Sequence, residues 1–152
     1  MPYTSNMSVL FMADEMSQQD VQEAMAQMEY LQNVYTQRYD MLNEQIATYN
    51  LAREAVMRSI EIIDNAKSLE NSHVLLNTEG GTYIEASVSR LEKMMTYVGA
   101  GYLVEKTVAG AKEFLEAAMK SSEVAASRLV SEKQKVEKEL FDISYRMAAF
   151  RS

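Results

Sequence analysis

The chain has 152 residues, 47% of them hydrophobic and 24% charged, and a formal net charge of −7. That length suits a single domain, and that composition excludes a disordered tail. The acidic balance speaks against nucleic-acid binding through phosphates and suits a basic partner. The absence of cysteine excludes disulfides, thiolate catalysis and thiolate-held metals.

No run of about 18 apolar residues is available to cross a membrane. Residues 1–16 read as a leader with a short apolar patch, Val9 to Ala13, and no basic stretch ahead of it, so a secretory signal is not expected. From Ser17 a long helix is predicted, running to about residue 71. Val21, Met25, Met28, Gln32, Tyr35, Tyr39, Leu42, Ile46, Tyr49, Arg53, Val56, Ile60 and Ile63 recur at alternating steps of four and three. Only Gln32 and Arg53 break the apolar seam, which is the pattern of a coiled coil. Ser17 with Asp20 is the expected N-cap and acidic first turn, and Asn71-Ser72 the expected stop. A helix of about 50 residues would be on the order of 75 Å long, so only another helix of similar length can cover its seam.

Residues 72–104 contain the only β-like stretch. Four of the chain's five glycines fall here. His73 to Asn77 is the first strand, and Thr78-Glu79-Gly80-Gly81 a turn with residues suited to positive φ. Thr82 to Val88 alternates with Ile84, Ala86 and Val88 on one face, a half-buried pattern. Met94 to Val98 and Tyr102 to Val104 pair around Gly99-Ala100-Gly101. Two hairpins are too few to bury themselves, and their edges stay open unless other chains pair with them. Oligomerisation is therefore expected here, through Tyr83, Ile84, Ala86, Val88, Met95, Tyr97, Val98 and Tyr102.

Residues 105–152 predict a second long helix. Val108, Leu115, Ser122, Leu129, Val136, Ile143 and Phe150 repeat every seventh position. Ala111, Ala118 and Ala125 accompany them first, then Leu140 and Met147, which implies a local change of register. If the two helices pair antiparallel, facing residue numbers should total about 175, given uncertain helix ends. Tyr49 then faces Ala125, Arg53 faces Ser122, Tyr35 faces Leu140 and Met25 faces Phe150. The fold class is mainly α: an antiparallel coiled-coil hairpin whose helices are joined by two β-hairpins. A parallel dimer of long helices is the competing arrangement.

The segment Leu75-Leu76-Asn77-Thr78-Glu79-Gly80-Gly81-Thr82-Tyr83-Ile84-Glu85-Ala86 precedes Met95-Thr96-Tyr97-Val98-Gly99-Ala100-Gly101-Tyr102-Leu103-Val104-Glu105-Lys106. Together they resemble the alpha-type subunits of the prefoldin family. The family's first hairpin reads LVPLG-x-G-x-YV-x-A, and its second ends in V-x-x-GAGY-x-VEK. The second match is the closer. In the first, Asn77 stands where the family usually has proline, and Thr78-Glu79 replaces the leucine before the glycine. Two hairpins, not one, favour the alpha type over the beta type.

The resemblance implies a subunit of an ATP-independent cytoplasmic chaperone: two alpha-type and four beta-type subunits in a hexamer, with a β-barrel platform from which coiled coils hang. It implies unfolded proteins as clients and a group II chaperonin as recipient. A holdase needs apolar, adaptable surface. Both chain ends supply it, through Val9, Leu10, Phe11, Met12 and Met16 on one side and Phe141, Tyr145, Met147 and Phe150 on the other. For Met25, Met28 and Met147 the coiled-coil core is the competing reading, and for residues 1–16 an unordered leader.

No enzyme, metal or cofactor is expected. His73 is the sole histidine, the glycines lack a phosphate-loop lysine, and no nucleophile, base and orienter come together. No nucleic-acid or membrane partner is expected either. The alternative to the chaperone is a structural protein whose hairpins polymerise edge to edge into prefoldin-like filaments.

Overall fold

The computed structural model describes residues 17–152. Helix α1 (Gln18–Asp64) and a single-turn helix α2 (Ala66–Leu69) come first. Strands β1 (His73–Asn77), β2 (Tyr83–Ser87), β3 (Lys93–Gly99) and β4 (Tyr102–Thr107) follow, and helix α3 (Val108–Arg151) completes the order. This is the mainly helical arrangement expected. Val9, Leu10, Phe11, Met12 and Met16 lie outside the described residues.

The expected cap opens α1. The Asp20 amide donates to the Ser17 hydroxyl at 3.2 Å, and that hydroxyl donates to the Asp20 carboxylate at 2.7 Å. The helix stops at Asp64, earlier than the expected 71. The break falls at Asn65, at φ −98 and ψ 11, whose side-chain amide joins its own backbone amide on the Glu61 carbonyl, at 2.8 and 3.1 Å. One more helical turn follows; Glu70, extended at φ −61 and ψ 134, ends it, and Asn71 comes next in the left-handed region at φ 60.

The chain divides into two compact units. The first contains residues 17–47 and 127–152, the second residues 48–126. In the first, α1 and α3 run antiparallel. Arg38 is ion-paired with Glu132, the Lys133 ammonium lies 5.1 Å from the centre of the Tyr39 ring, and Gln32 shares a groove with Ser144 and Met147. Leu42, Val136, Ile143 and Met147 are its buried apolar residues. The sequence-predicted seam positions of this unit are all buried or half-buried. The register change expected in α3 falls where Glu132 and Lys133, both half-buried, occupy the ground between Leu129 and Val136. Polar contacts to Arg38 and Tyr39 fill the place that an apolar companion would take.

In the second unit, ion pairs join α1 and α3. The Arg53 guanidinium lies 3.5 Å from the Glu123 carboxylate, and Lys112 bonds Asp64 at 2.5 Å. Both pairs fall within one residue of the expected register. Arg53 thus meets Glu123, the neighbour of the expected Ser122, and its charge stays half in water. Ile63, Ala66 and Ala111 are the buried apolar residues here.

The strands make two separate two-stranded antiparallel ribbons, β1 with β2 and β3 with β4. Leu76 faces Ile84 and Asn77 faces Tyr83 in the first ribbon; Thr96 faces Val104 and Tyr97 faces Leu103 in the second. The second ribbon shifts register between Tyr97 and Gly99, leaving Val98 as a β-bulge. Ala100 and Gly101, at φ 51 and φ 81, then form a two-residue turn of the primed type. β4 runs three residues beyond the expected 104. Glu105, Lys106 and Thr107 pair with Met95, Met94 and Lys93, and the Lys93 ammonium meets the Glu105 carboxylate at 3.3 Å. Helix α3 therefore starts at Val108, where the Thr107 hydroxyl accepts the Gly110 amide at 3.0 Å.

Candidate functional site: apolar surface without cover

In each ribbon, the backbone pattern decides which polar groups are free. The Val88 amide donates to the Ser72 carbonyl at 2.9 Å and the Thr78 amide to the Thr82 carbonyl at 3.0 Å. In an antiparallel pair the bonded positions alternate, so Leu76–Ile84 and Val74–Ala86 are bonded pairs. The amides of Tyr83, Glu85 and Ser87 then point away from β1, along an open edge. An open edge is a template for another strand.

The faces of the ribbons are as open as their edges. The expected half-buried face of β2 is only partly so: Ala86 and Val88 are half-buried, but Ile84 is exposed, because no described residue covers that end of the ribbon. Tyr83, Met95, Tyr97, Val98 and Tyr102 are also exposed. Sequence reasoning missed Leu75, at 68% exposure, and Leu76, Leu103 and Val104. Strict alternation could have flagged Leu103, which stands directly across from Tyr97. One face of the second ribbon is covered. Thr96 is 7% exposed, Met94 and Lys106 are half-buried, and the Lys106 ammonium sits 5.2 Å from the centre of the Phe114 ring. The other face carries Met95, Tyr97 and Leu103, all exposed.

Late in α3, four expected contact residues separate by burial. Phe141 is 70% exposed and Tyr145 72%, whereas Phe150 is half-buried and Met147 is 7% exposed in the helical seam. The structure therefore puts Met147 in the position that the heptad reading assigns it. Large aromatic side chains left in water, one helical turn apart, form a surface that can accept varied apolar partners.

Polar chemistry is sparse. The His73 Nδ1 atom lies 3.4 Å from the Ser87 hydroxyl and 3.5 Å from the Glu85 carboxylate, all on an exposed face. No group of three or more His, Asp or Glu among the described residues is arranged to hold a metal ion. Among the described residues, no helix is long and apolar enough to cross a membrane.

Comparison with known proteins gives these surfaces a context. The family model described as prefoldin subunit matches residues 35–150. The chain is 28% identical over 137 residues to the prefoldin subunit alpha of Methanocorpusculum labreanum, covering 90% of this chain and 93% of that one. It is 29% identical over 119 residues to the prefoldin subunit alpha of Nitrosopumilus maritimus, covering 78% and 79% of the two chains. In fold it is similar to a chain of the filamentous PFD of Methanocaldococcus jannaschii, with a TM-score of 0.65 at 17% identity, over 75% of this chain and 95% of that one. With its two ribbons between two long helices and a family match across most of its length, the chain belongs to the prefoldin family of chaperones, as a subunit of the alpha type.

Proposed function

We propose that this chain is a subunit of an ATP-independent holdase that captures unfolded proteins on apolar surface near the chain ends and passes them to a group II chaperonin. Its ribbons join it to beta-type partners, two alpha-type with four beta-type subunits, in the cytoplasm. The observation that carries the capture step is the exposed pair Phe141 and Tyr145. Neither is needed for the helical seam, so both are free to contact a client. Val9, Leu10, Phe11, Met12 and Met16 join them in this reading as the apolar residues of the leader, and Phe150 adds a half-buried ring.

The test is light scattering from a heat-unfolded enzyme in the presence of the assembled chaperone. Phe141→Ser with Tyr145→Ser is expected to lower suppression of aggregation several-fold while particle size stays the same. Full suppression by the double variant would overturn the assignment of these residues. Size analysis of the chain with and without a beta-type partner tests the assembly. A closed particle that needs the partner supports it, and open filaments from this chain alone would replace it with the scaffold reading.

A further inference from the structure

We propose that a groove in the second compact unit, flanked by Met57 and Met119, docks a cationic polypeptide segment carrying an apolar anchor. The groove measures about 590 Å³ and lies between α1 and α3, with Ile60 of the seam beside the two methionines. Met57 and Met119 each follow a seam position, Val56 and Ala118. Such flanking positions of a coiled coil ordinarily carry charges that keep the partner helix in register. Here both are methionine, and Met57 is 49% exposed. Methionine is flexible and polarisable, and adapts to differently shaped anchors.

The rim fixes the sign of the occupant. Glu54, Glu61, Asp64 and Glu116 line it, against Arg58. Arg58 reaches Glu54 at 3.9 Å, and Lys112 bonds Asp64 at 2.5 Å and approaches Glu116 at 3.9 Å. The Glu61 carboxylate has no ion-pair partner among the described residues. Four carboxylates against two cations leave the rim negative, and exposed ion pairs of this kind yield readily to a competing cation. A negative rim on a chain of net charge −7 repels nucleic-acid phosphates and anionic lipid surfaces. It also repels a second copy of the same rim. A polypeptide with lysine or arginine on either side of a leucine or aromatic anchor satisfies both floor and rim. This site is separate from the capture surface at Phe141 and Tyr145, and each can fail without the other.

The test uses the assembled protein and fluorescence anisotropy with three labelled peptides: alternating Leu-Lys, alternating Leu-Glu and alternating Ser-Lys. The Leu-Lys peptide is expected to bind, more weakly as salt rises, and the other two to bind far less. Met57→Ser with Glu61→Lys, both at exposed positions, is expected to lower its affinity about tenfold or more. Met57→Leu, which keeps an apolar side chain there, is expected to retain it, as is Phe141→Ser with Tyr145→Ser. Equal binding of the Leu-Glu peptide, undiminished affinity in the Met57→Ser, Glu61→Lys variant, or loss of binding in the Phe141→Ser, Tyr145→Ser variant would each overturn the proposal.

Discussion

Ile63 and Ile84 are the same side chain in opposite circumstances. Ile63 is buried in the seam between α1 and α3, and Ile84 stands in water on the first ribbon. Leucine divides the same way: Leu42 is buried, and Leu75, Leu76 and Leu103 are exposed. Local sequence does not set this difference, since both regions are apolar and regular. The helices find cover within their own chain, because in each compact unit a stretch of α1 lies against a stretch of α3. A two-stranded ribbon has no such partner and leaves apolar faces and free backbone edges. Burial completed inside the chain gives stability, and burial left incomplete leaves surface open to association.

The sharpest way to break this contrast is at Tyr97 and Leu103, which face each other on the uncovered side of the second ribbon. Tyr97→Glu with Leu103→Lys places opposite charges across the strands and so keeps the ribbon paired. Assembly with partner subunits is expected to fall to the level of free subunits by light scattering, with helix content by circular dichroism unchanged. Next comes one deletion made in both regions. Leu42→Ala is expected to cost about 2–5 kcal/mol in denaturant unfolding of the chain, from lost burial and a cavity. Leu76→Ala in the unassembled chain is expected to change stability by no more than about 0.5 kcal/mol, the usual range for a surface site.

A smaller effect belongs to the junction between the regions. Thr107→Ala removes the acceptor for the Gly110 amide and is expected to cost about 1 kcal/mol, with Thr107→Ser restoring most of it. The smallest effect is electrostatic. The hydrogen bond to Asp64, helped by the charges of Asp64 and Glu116 and opposed by desolvation, holds the Lys112 ammonium above the ordinary lysine value of 10.5. A raised pKa means that its contribution is complete below pH 10.5 and is lost as pH climbs through the higher folded-state value. A pH series of thermal melts should show a slight alkaline decline that Lys112→Met lacks.

Much of this was legible in the sequence, for physical reasons. Most seam residues from Val21 to Ile63 could be read because helical periodicity repeats a local geometry many times, although Tyr49 and Arg53 are exposed. Ser17 could be read because a cap acts over three or four residues, and the hairpin turns because Gly80, Gly81, Gly99 and Gly101 punctuate them. The start of α3 was not legible: Glu105 and Lys106 are good helix formers, and only pairing of residues 105–107 with Lys93 to Met95 makes them a strand. The preference of Arg53 for Glu123 over its neighbour Ser122 is settled only by side-chain geometry between two helices. The uncovered state of Leu75 and Leu103 depends on what is missing above a strand, which no pattern along the strand can reveal.

β4 ends at Thr107 and α3 begins at Val108, so no linker residue separates them. The residue that closes the strand also caps the helix, and the torsions that would serve as a swivel are held by the hydrogen bond to Gly110. At the other crossing, three residues intervene between α2 and β1, with Asn71 left-handed among them. One crossing is thus welded and the other jointed. A displacement of the second ribbon therefore passes without slack into the first turn of α3, whereas one of the first ribbon meets three intervening residues.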